Sequence, residues 1–245
     1  MKCPECRMEI PDGAKFCLKC GMSLNVTGAG LEPLSDPAAA RIIPGPERKH
    51  VTALFSDLTG YTAMTEKLDP EQVREITSPI FTGVRQIVAK YDGFIERVMG
   101  DGCLAFFGIP RAHEDDPIRA ICAAREIHDL VQSMSPQHQE KLGTPLTMHS
   151  GINTGLVVTG EVDLEKGTHG VAGDAVNVAS RLSSFANPGE ILVGLDTHVR
   201  AEGAFTFEDL GFKKVKGKSE PIKIFRVSSA KGRRGPVRFD RQVSS

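Results

Sequence analysis

Val51-Thr52-Ala53-Leu54-Phe55-Ser56-Asp57-Leu58-Thr59-Gly60-Tyr61-Thr62 is the stretch on which the reading of the fold turns. Its β-branched and aromatic residues from Val51 to Ser56 predict a strand. That strand runs into a carboxylate, Asp57, with Gly60 just beyond it. A second segment has the same character: Phe94–Val98 and Cys103–Phe107 flank Met99-Gly100-Asp101-Gly102. Asp-Gly is a favoured turn pair, so a hairpin closed around Gly100-Asp101-Gly102 is expected. Each acid sits where a strand stops, beside a glycine that lets another group approach the backbone. If the strands are neighbours, Asp57 and Asp101 project from one sheet edge, as in a magnesium and phosphate site.

Working outward, Asp69-Pro70 is a helix start, an N-cap followed by proline in the first turn. Val73, Ile76, Ile80, Val84, Ile87 and Tyr91 then recur at helical spacing, with Pro79 expected to kink the helix. A second helix opens at Asp116-Pro117, with a core stripe of Ala120, Ala123, Ala124, Ile127, Leu130, Val131 and Met134. The acids Glu114-Asp115-Asp116 read as helix-start residues rather than metal ligands. Thr147–Asn153 and Leu156–Val162 read as a second hairpin around Thr154-Gly155. A helix follows over Asp174–Phe185, and short strands near 191–193, 205–208 and 222–227 complete the pattern. Paired hairpins separated by long helices predict an α+β fold, an antiparallel sheet covered by helices.

The chain has 245 residues, enough for one sizeable domain plus an appendage. A net charge of −1 gives no support to a polyanion-binding role. No apolar run approaches a membrane span, and the polar, Cys-rich N-terminus does not read as a signal peptide. A cytoplasmic setting is the default expectation. Cys3, Cys6, Cys17 and Cys20 form C-x2-C-x10-C-x2-C, the spacing of a closed tetrahedral structural Zn2+ site, with two disulfides or a chance spacing as the alternatives. Cys103 and Cys122 stand alone in apolar stretches and read as core. The expected organisation is a ribbon over 1–24, a Gly/Pro/Ala/Ser-rich linker over 25–48, the main domain over 49–229 and a basic tail over 230–245.

In the helix after Gly173, Ala175, Val178, Leu182 and Phe185 are expected to pack on the sheet, and Asn177, Arg181 and Ser184 share another face. A solvated polar face is the plain alternative, but the glycine-rich approach Thr168–Gly173 suits a ligand. Lys213-Lys214-Val215-Lys216-Gly217-Lys218 suits a mobile arm that meets phosphates, although surface lysines are common.

Together, the segments around Asp57, Val98–Gly102, Gly151–Gly155, Gly173–Leu182 and Val215–Lys218 resemble the class III nucleotidyl cyclase catalytic domain. The resemblance runs from about Val51 to Val227, and the N-terminal cysteines resemble a zinc ribbon attached to many bacterial members. Those members often continue into ATPase and repeat modules, so the chain is either a compact member or a piece of a longer one, and further regulatory domains or partner proteins remain open. The resemblance implies a ferredoxin-like core and a head-to-tail homodimer with two shared active sites that use ATP or GTP. Asp57 and Asp101, with the Leu58 carbonyl, would bind two Mg2+ or Mn2+ ions per site. Backbone amides around Thr59, Gly60, Tyr61 and Thr62 would hold phosphates. The partner chain would supply Asn177 to the ribose, Arg181 to the α-phosphate and Lys216 to the terminal phosphates. The base-selecting positions depart from the family pattern: Arg97 stands for the usual lysine, and Gly170 for an Asp or Thr. Arg97 can still donate to a purine, whereas Gly170 has no side chain to accept from the adenine amino group. The first reading implied is conversion of ATP to 3′,5′-cyclic AMP and pyrophosphate, and two others stand beside it. One is a non-catalytic nucleotide-binding dimerisation module. The other is a nucleic-acid adaptor working through the ribbon, disfavoured by its few aromatics.

Overall fold

A computed structural model describes residues 47–160, 170–215, 218 and 220–231. The cysteines of the ribbon, residues 25–46 of the expected linker, Lys216 and residues 232–245 of the expected tail lie outside the described residues, whereas Glu47 and Arg48 already belong to the first strand and Ala230 to the last. In chain order the elements are β1 (Glu47–Leu58), α1 (Tyr61–Lys67), α2 (Pro70–Lys90), β2 (Phe94–Met99), β3 (Gly102–Phe107), α3 (Asp116–Leu142), β4 (Met148–Thr159), β5 (Val171–Ala172), α4 (Asp174–Phe185), β6 (Ile191–Gly194), α5 (Leu195–Ala201), β7 (Phe205–Lys213) and β8 (Ile222–Ala230).

The strands form one sheet in the order β2-β3-β1-β4-β6-β8-β7, with β5 paired to β4. Its first four strands, with α2 and α3, make the expected ferredoxin-like unit. β1 is central because both its edges are paired, to β4 along its whole length and to β3 from Thr52 to Asp57. All pairings are antiparallel except β4 with β6, so the sheet is mixed rather than purely antiparallel.

Period-two alternation sends the even residues of β1 to one face and the odd residues to the other. Leu54 and Leu58 meet Phe107, Met148 and Ile152 beneath α2 and α3, whose Ile80, Val84, Ile121 and Ile127 close the main core. Each such side chain contributes roughly 1.5–3 kcal/mol when fully buried. Val51 and Ala53, on the opposite face, pack with Phe106 and Val157 against Ala175 and Ala179 of α4. Both long helices run through an internal proline, Pro79 and Pro136.

Three further expectations change. Thr154-Gly155 is not a turn: β4 is continuous and in register with β1 from Leu58↔Met148 to Glu47↔Thr159. Gly155 serves helix packing instead, since a Cβ there would come within 3.0 Å of the Ala175 Cβ. Phe185 does not pack on the sheet but is 44% exposed, and Ser183 takes the buried place one turn after Ala179. The β2–β3 turn is the pair Gly100-Asp101, because Gly102 is already in ladder register with Met99.

Candidate active site

Asp57 is the penultimate residue of β1 and pairs with Gly102 on one side and His149 on the other. Asp101 occupies the β2–β3 turn, and its carbonyl accepts the Leu58 N–H at 2.7 Å. That bond ties the turn to the end of β1, bringing both acids to one edge. Across from Asp57 only a glycine fits: a Cβ on Gly102 would lie 2.0 Å from Asp57 Oδ1. The other carboxylate oxygen, Oδ2, accepts a 2.7 Å hydrogen bond from Ser183 Oγ.

Burial pushes the Asp57 carboxyl above its ordinary range. The Ser183 hydrogen bond and the nearby His149 pull it back, and the charge of Asp101 pushes it up again. A carboxylate whose ionisation is opposed by burial and by a neighbouring acid is relieved by a bound cation, which gives Asp57 a chemical reason to sit beside Asp101. Among the described residues no group of three or more His, Cys, Asp or Glu side chains could hold a metal ion. A cation on Asp57 and Asp101 would therefore take its other ligands from the backbone and from phosphate oxygens, the pattern that suits Mg2+ rather than an all-protein cage.

The loop after β1 is fixed on the same edge. Thr59 N–H donates to the Thr147 carbonyl at 2.8 Å, and Thr59 Oγ1 lies 3.1 Å from His149 Nδ1. The Thr59 amide is thus committed to the fold. Gly60, with φ +80°, caps α1, and the first helical bond is Met64 N–H to the Gly60 carbonyl. The Tyr61 and Thr62 amides belong to the first turn of α1, which lacks intrahelical acceptors. Tyr61 reaches back over the β2–β3 turn, its hydroxyl 3.2 Å from where a Gly100 Cβ would stand.

Arg97 is exposed on edge strand β2, just after a register shift between Ile95 and Arg97. This bulge re-aims the side chain. It places Arg97 opposite Leu104, hence on the sheet face that bears Asp57, where an unbroken alternation from Phe94 would have turned it away. Asn177 and Arg181 lie exposed on the outward face of α4. Gly170, with φ +64°, precedes β5 and accepts the Gly160 N–H, at the end of β4 paired with Glu47. That end is roughly 30 Å along the strand from His149 and Asp57. One chain therefore brings Asp57, Leu58, Asp101, Thr59–Thr62 and Arg97 together, and leaves Gly170 remote from them.

Beneath this edge a buried polar chain supports β1. Ser56 Oγ lies 2.7 Å from Ser150 Oγ, which lies 2.8 Å from His128 Nε2 on α3. Burial pushes His128 down to about 4, so the ring is neutral near pH 7. Cys103 is a core residue whose thiol burial raises to about 12. The acids before α3 serve local structure: Asp115 is its N-cap and pairs with Arg119 at 2.7 Å, and Asp116 accepts the His113 N–H. Ser183, His149 and the Ser56–Ser150–His128 chain escaped sequence reasoning. Only Ser183 left a signal, its i+4 spacing from Ala179.

The sequence model "Adenylate and Guanylate cyclase catalytic domain" matches residues 43–228. The chain belongs to that family. A zinc-ribbon domain model matches residues 2–24. The cyclase domain is similar to the crystal structure of the adenylyl cyclase CyaB from P. aeruginosa, with 30% identity and a TM-score of 0.73, covering 78% of this chain and 98% of that one. It is similar to the crystal structure of the guanylyl cyclase Cya2, with 33% identity and a TM-score of 0.71, covering 77% and 96%. A receptor-type guanylate cyclase of Caenorhabditis elegans, gcy-20, is 32% identical over 174 residues, 69% of this chain but 16% of the relative. The cyclase domain thus spans about a sixth of that relative's length. Among the described residues no helix is long and apolar enough to cross a membrane.

Proposed function

We propose that the cyclase domain converts ATP to 3′,5′-cyclic AMP and pyrophosphate, at sites shared by two head-to-tail copies of the chain. The observation that carries this reading is the convergence of Asp57 and Asp101 on one edge through the Leu58–Asp101 bond, while Asn177 and Arg181 face outward from α4.

Asp57, Asp101 and the Leu58 carbonyl would hold two divalent ions. Such ions acidify the attacking 3′-hydroxyl and neutralise the departing phosphates. The chain's own part is positioning. The first turn of α1 offers amides to phosphate oxygens. Asn177 of the second copy orients the ribose, and its Arg181 hydrogen-bonds the charge that grows on the α-phosphate oxygens. Lys216, which lies outside the described residues, is assigned to the terminal phosphates. With Gly170 some 30 Å along β4 from Asp57, no single chain closes the site, so the second copy is part of the proposal.

Relatives of either base preference are about equally similar, so base choice rests on Arg97 and Gly170. Arg97 is donor-only and matches the acceptor N1 of adenine. Gly170 withholds an acceptor from the adenine amino group, which predicts modest discrimination against GTP. The test is turnover of ATP and GTP in parallel by purified dimer with Mn2+. Cyclic AMP as the main product supports the proposal, cyclic GTP-derived product alone reassigns the base, and no product from either refutes a catalytic role.

A further inference from the structure

Ser183 is enclosed between α4 and the sheet. It is 1% exposed, on the sheet side of α4. The helix lies directly on β4 there, because Gly151 has no side chain: a Cβ at Gly151 would stand 2.1 Å from the Ser183 backbone nitrogen and 2.3 Å from the Ala179 carbonyl oxygen. From this fixed point Ser183 Oγ donates to Asp57 Oδ2 at 2.7 Å, a length typical of a hydroxyl bound to an ionised carboxylate. The two Asp57 oxygens are therefore inequivalent. Oδ2 is held by α4, and Oδ1 lies over Gly102, the neighbour of Asp101.

We propose that Ser183 is a positioning residue that fixes the rotation of the Asp57 carboxylate, keeping Oδ1 on the Asp101 side for a divalent cation. The proposal rests on the cyclase reading of the site. Outer-shell hydrogen bonds of this kind orient a ligating carboxylate, and their loss costs about 10–100-fold in metal affinity or activity. The same helix carries Asn177 and Arg181 on its exposed face, so α4 joins the Asp57 setting of its own chain to the residues assigned to the other site of the dimer.

The test compares wild type, Ser183→Ala and Asp57→Asn, each checked for dimer and thermal midpoint. Free Mn2+ is followed by electron paramagnetic resonance, with a non-cyclisable α,β-methylene ATP present. Ser183→Ala should bind Mn2+ about tenfold more weakly while keeping its fold. Its turnover should be lost at low Mn2+ and recover as Mn2+ is raised. A role in packing alone moves the thermal midpoint and leaves the Mn2+ dependence unchanged, which overturns the proposal. If Asp57→Asn weakens Mn2+ binding but Ser183→Ala does not, the positioning role falls and the cyclase site stands. If wild type and Asp57→Asn bind Mn2+ alike, the site reading falls and takes this proposal with it.

Discussion

Gly102→Ala adds one methyl group where the structure leaves no room for it. Gly102 is not in the left-handed region, so alanine meets no backbone strain there. The objection is steric. The new Cβ would stand 2.0 Å from Asp57 Oδ1, 3.0 Å from its Cγ and 2.9 Å from the Ser56 carbonyl oxygen. The Ser56 carbonyl is fixed within the doubly paired β1, so the carboxylate must move. Moving it breaks the 2.7 Å bond to Ser183 and withdraws Oδ1 from the side of Asp101. Overpacking of this kind costs about 1–3 kcal/mol of stability. At about 2–4 °C per kcal/mol for a chain of this size, the domain should still be folded at 25 °C. The catalytic cost is larger: displacing a major electrostatic group removes about 3 kcal/mol of transition-state stabilisation, or ~10²-fold in kcat. Gly143→Ala is the control. That residue caps α3 with φ +73° and open space around it, so alanine costs about 1 kcal/mol of stability and leaves turnover unchanged. The assay is cyclic nucleotide formation at saturating Mn2+, with a thermal melt on the same sample. Gly102→Ala turning over within about twofold of wild type would refute the reasoning, because a ~10²-fold loss is expected.

Two other perturbations probe the frame behind the site. Gly151→Ala should lift α4 from the sheet, costing about 3 kcal/mol, because the obstructing atoms are helix backbone rather than a flexible side chain; an unchanged urea midpoint contradicts the packing. His128 is pushed from 6.5 down to about 4 by burial, so the unfolded chain binds its proton more readily than the folded one. Its contribution is complete above pH 6.5 and is lost as pH falls toward 4, a loss of roughly 3 kcal/mol over that window. Urea titrations between pH 7 and 4 should show this slope in wild type and lack that component in His128→Asn; identical slopes contradict the assignment.

The placing of Asp57 and Asp101 at one sheet edge was legible in the sequence, because each acid ends an apolar strand beside a glycine. The long helices were legible too, since α2 and α3 carry a sustained apolar period and N-terminal Asp-Pro pairs. The seven-residue α1 and α5 are too short for a period to show. β4 was misread because Gly155 satisfies two physical demands with one residue type. A glycine that admits Ala175 of α4 looks, in sequence, like a glycine that turns the chain. Phe185 and Ser183 exchanged places for a related reason: apolar identity pointed to Phe185, whereas helical spacing from Ala179 points to Ser183. The re-aiming of Arg97 was hidden as well, because a bulge at Glu96 is a property of the β2–β3 ladder rather than of either strand alone.

The claim that most needs testing is that each site takes its carboxylates from one subunit and its α4 residues from the other. Asp57→Asn and Arg181→Ala homodimers should each be nearly inactive. Mixed and allowed to exchange in equal amounts, they should form heterodimers with one intact site. Activity should then return to about a quarter of wild type, since about half the two-fold dimers are mixed and each has one of its two sites whole. A mixture as inactive as its components, with heterodimers demonstrated, would contradict the shared site.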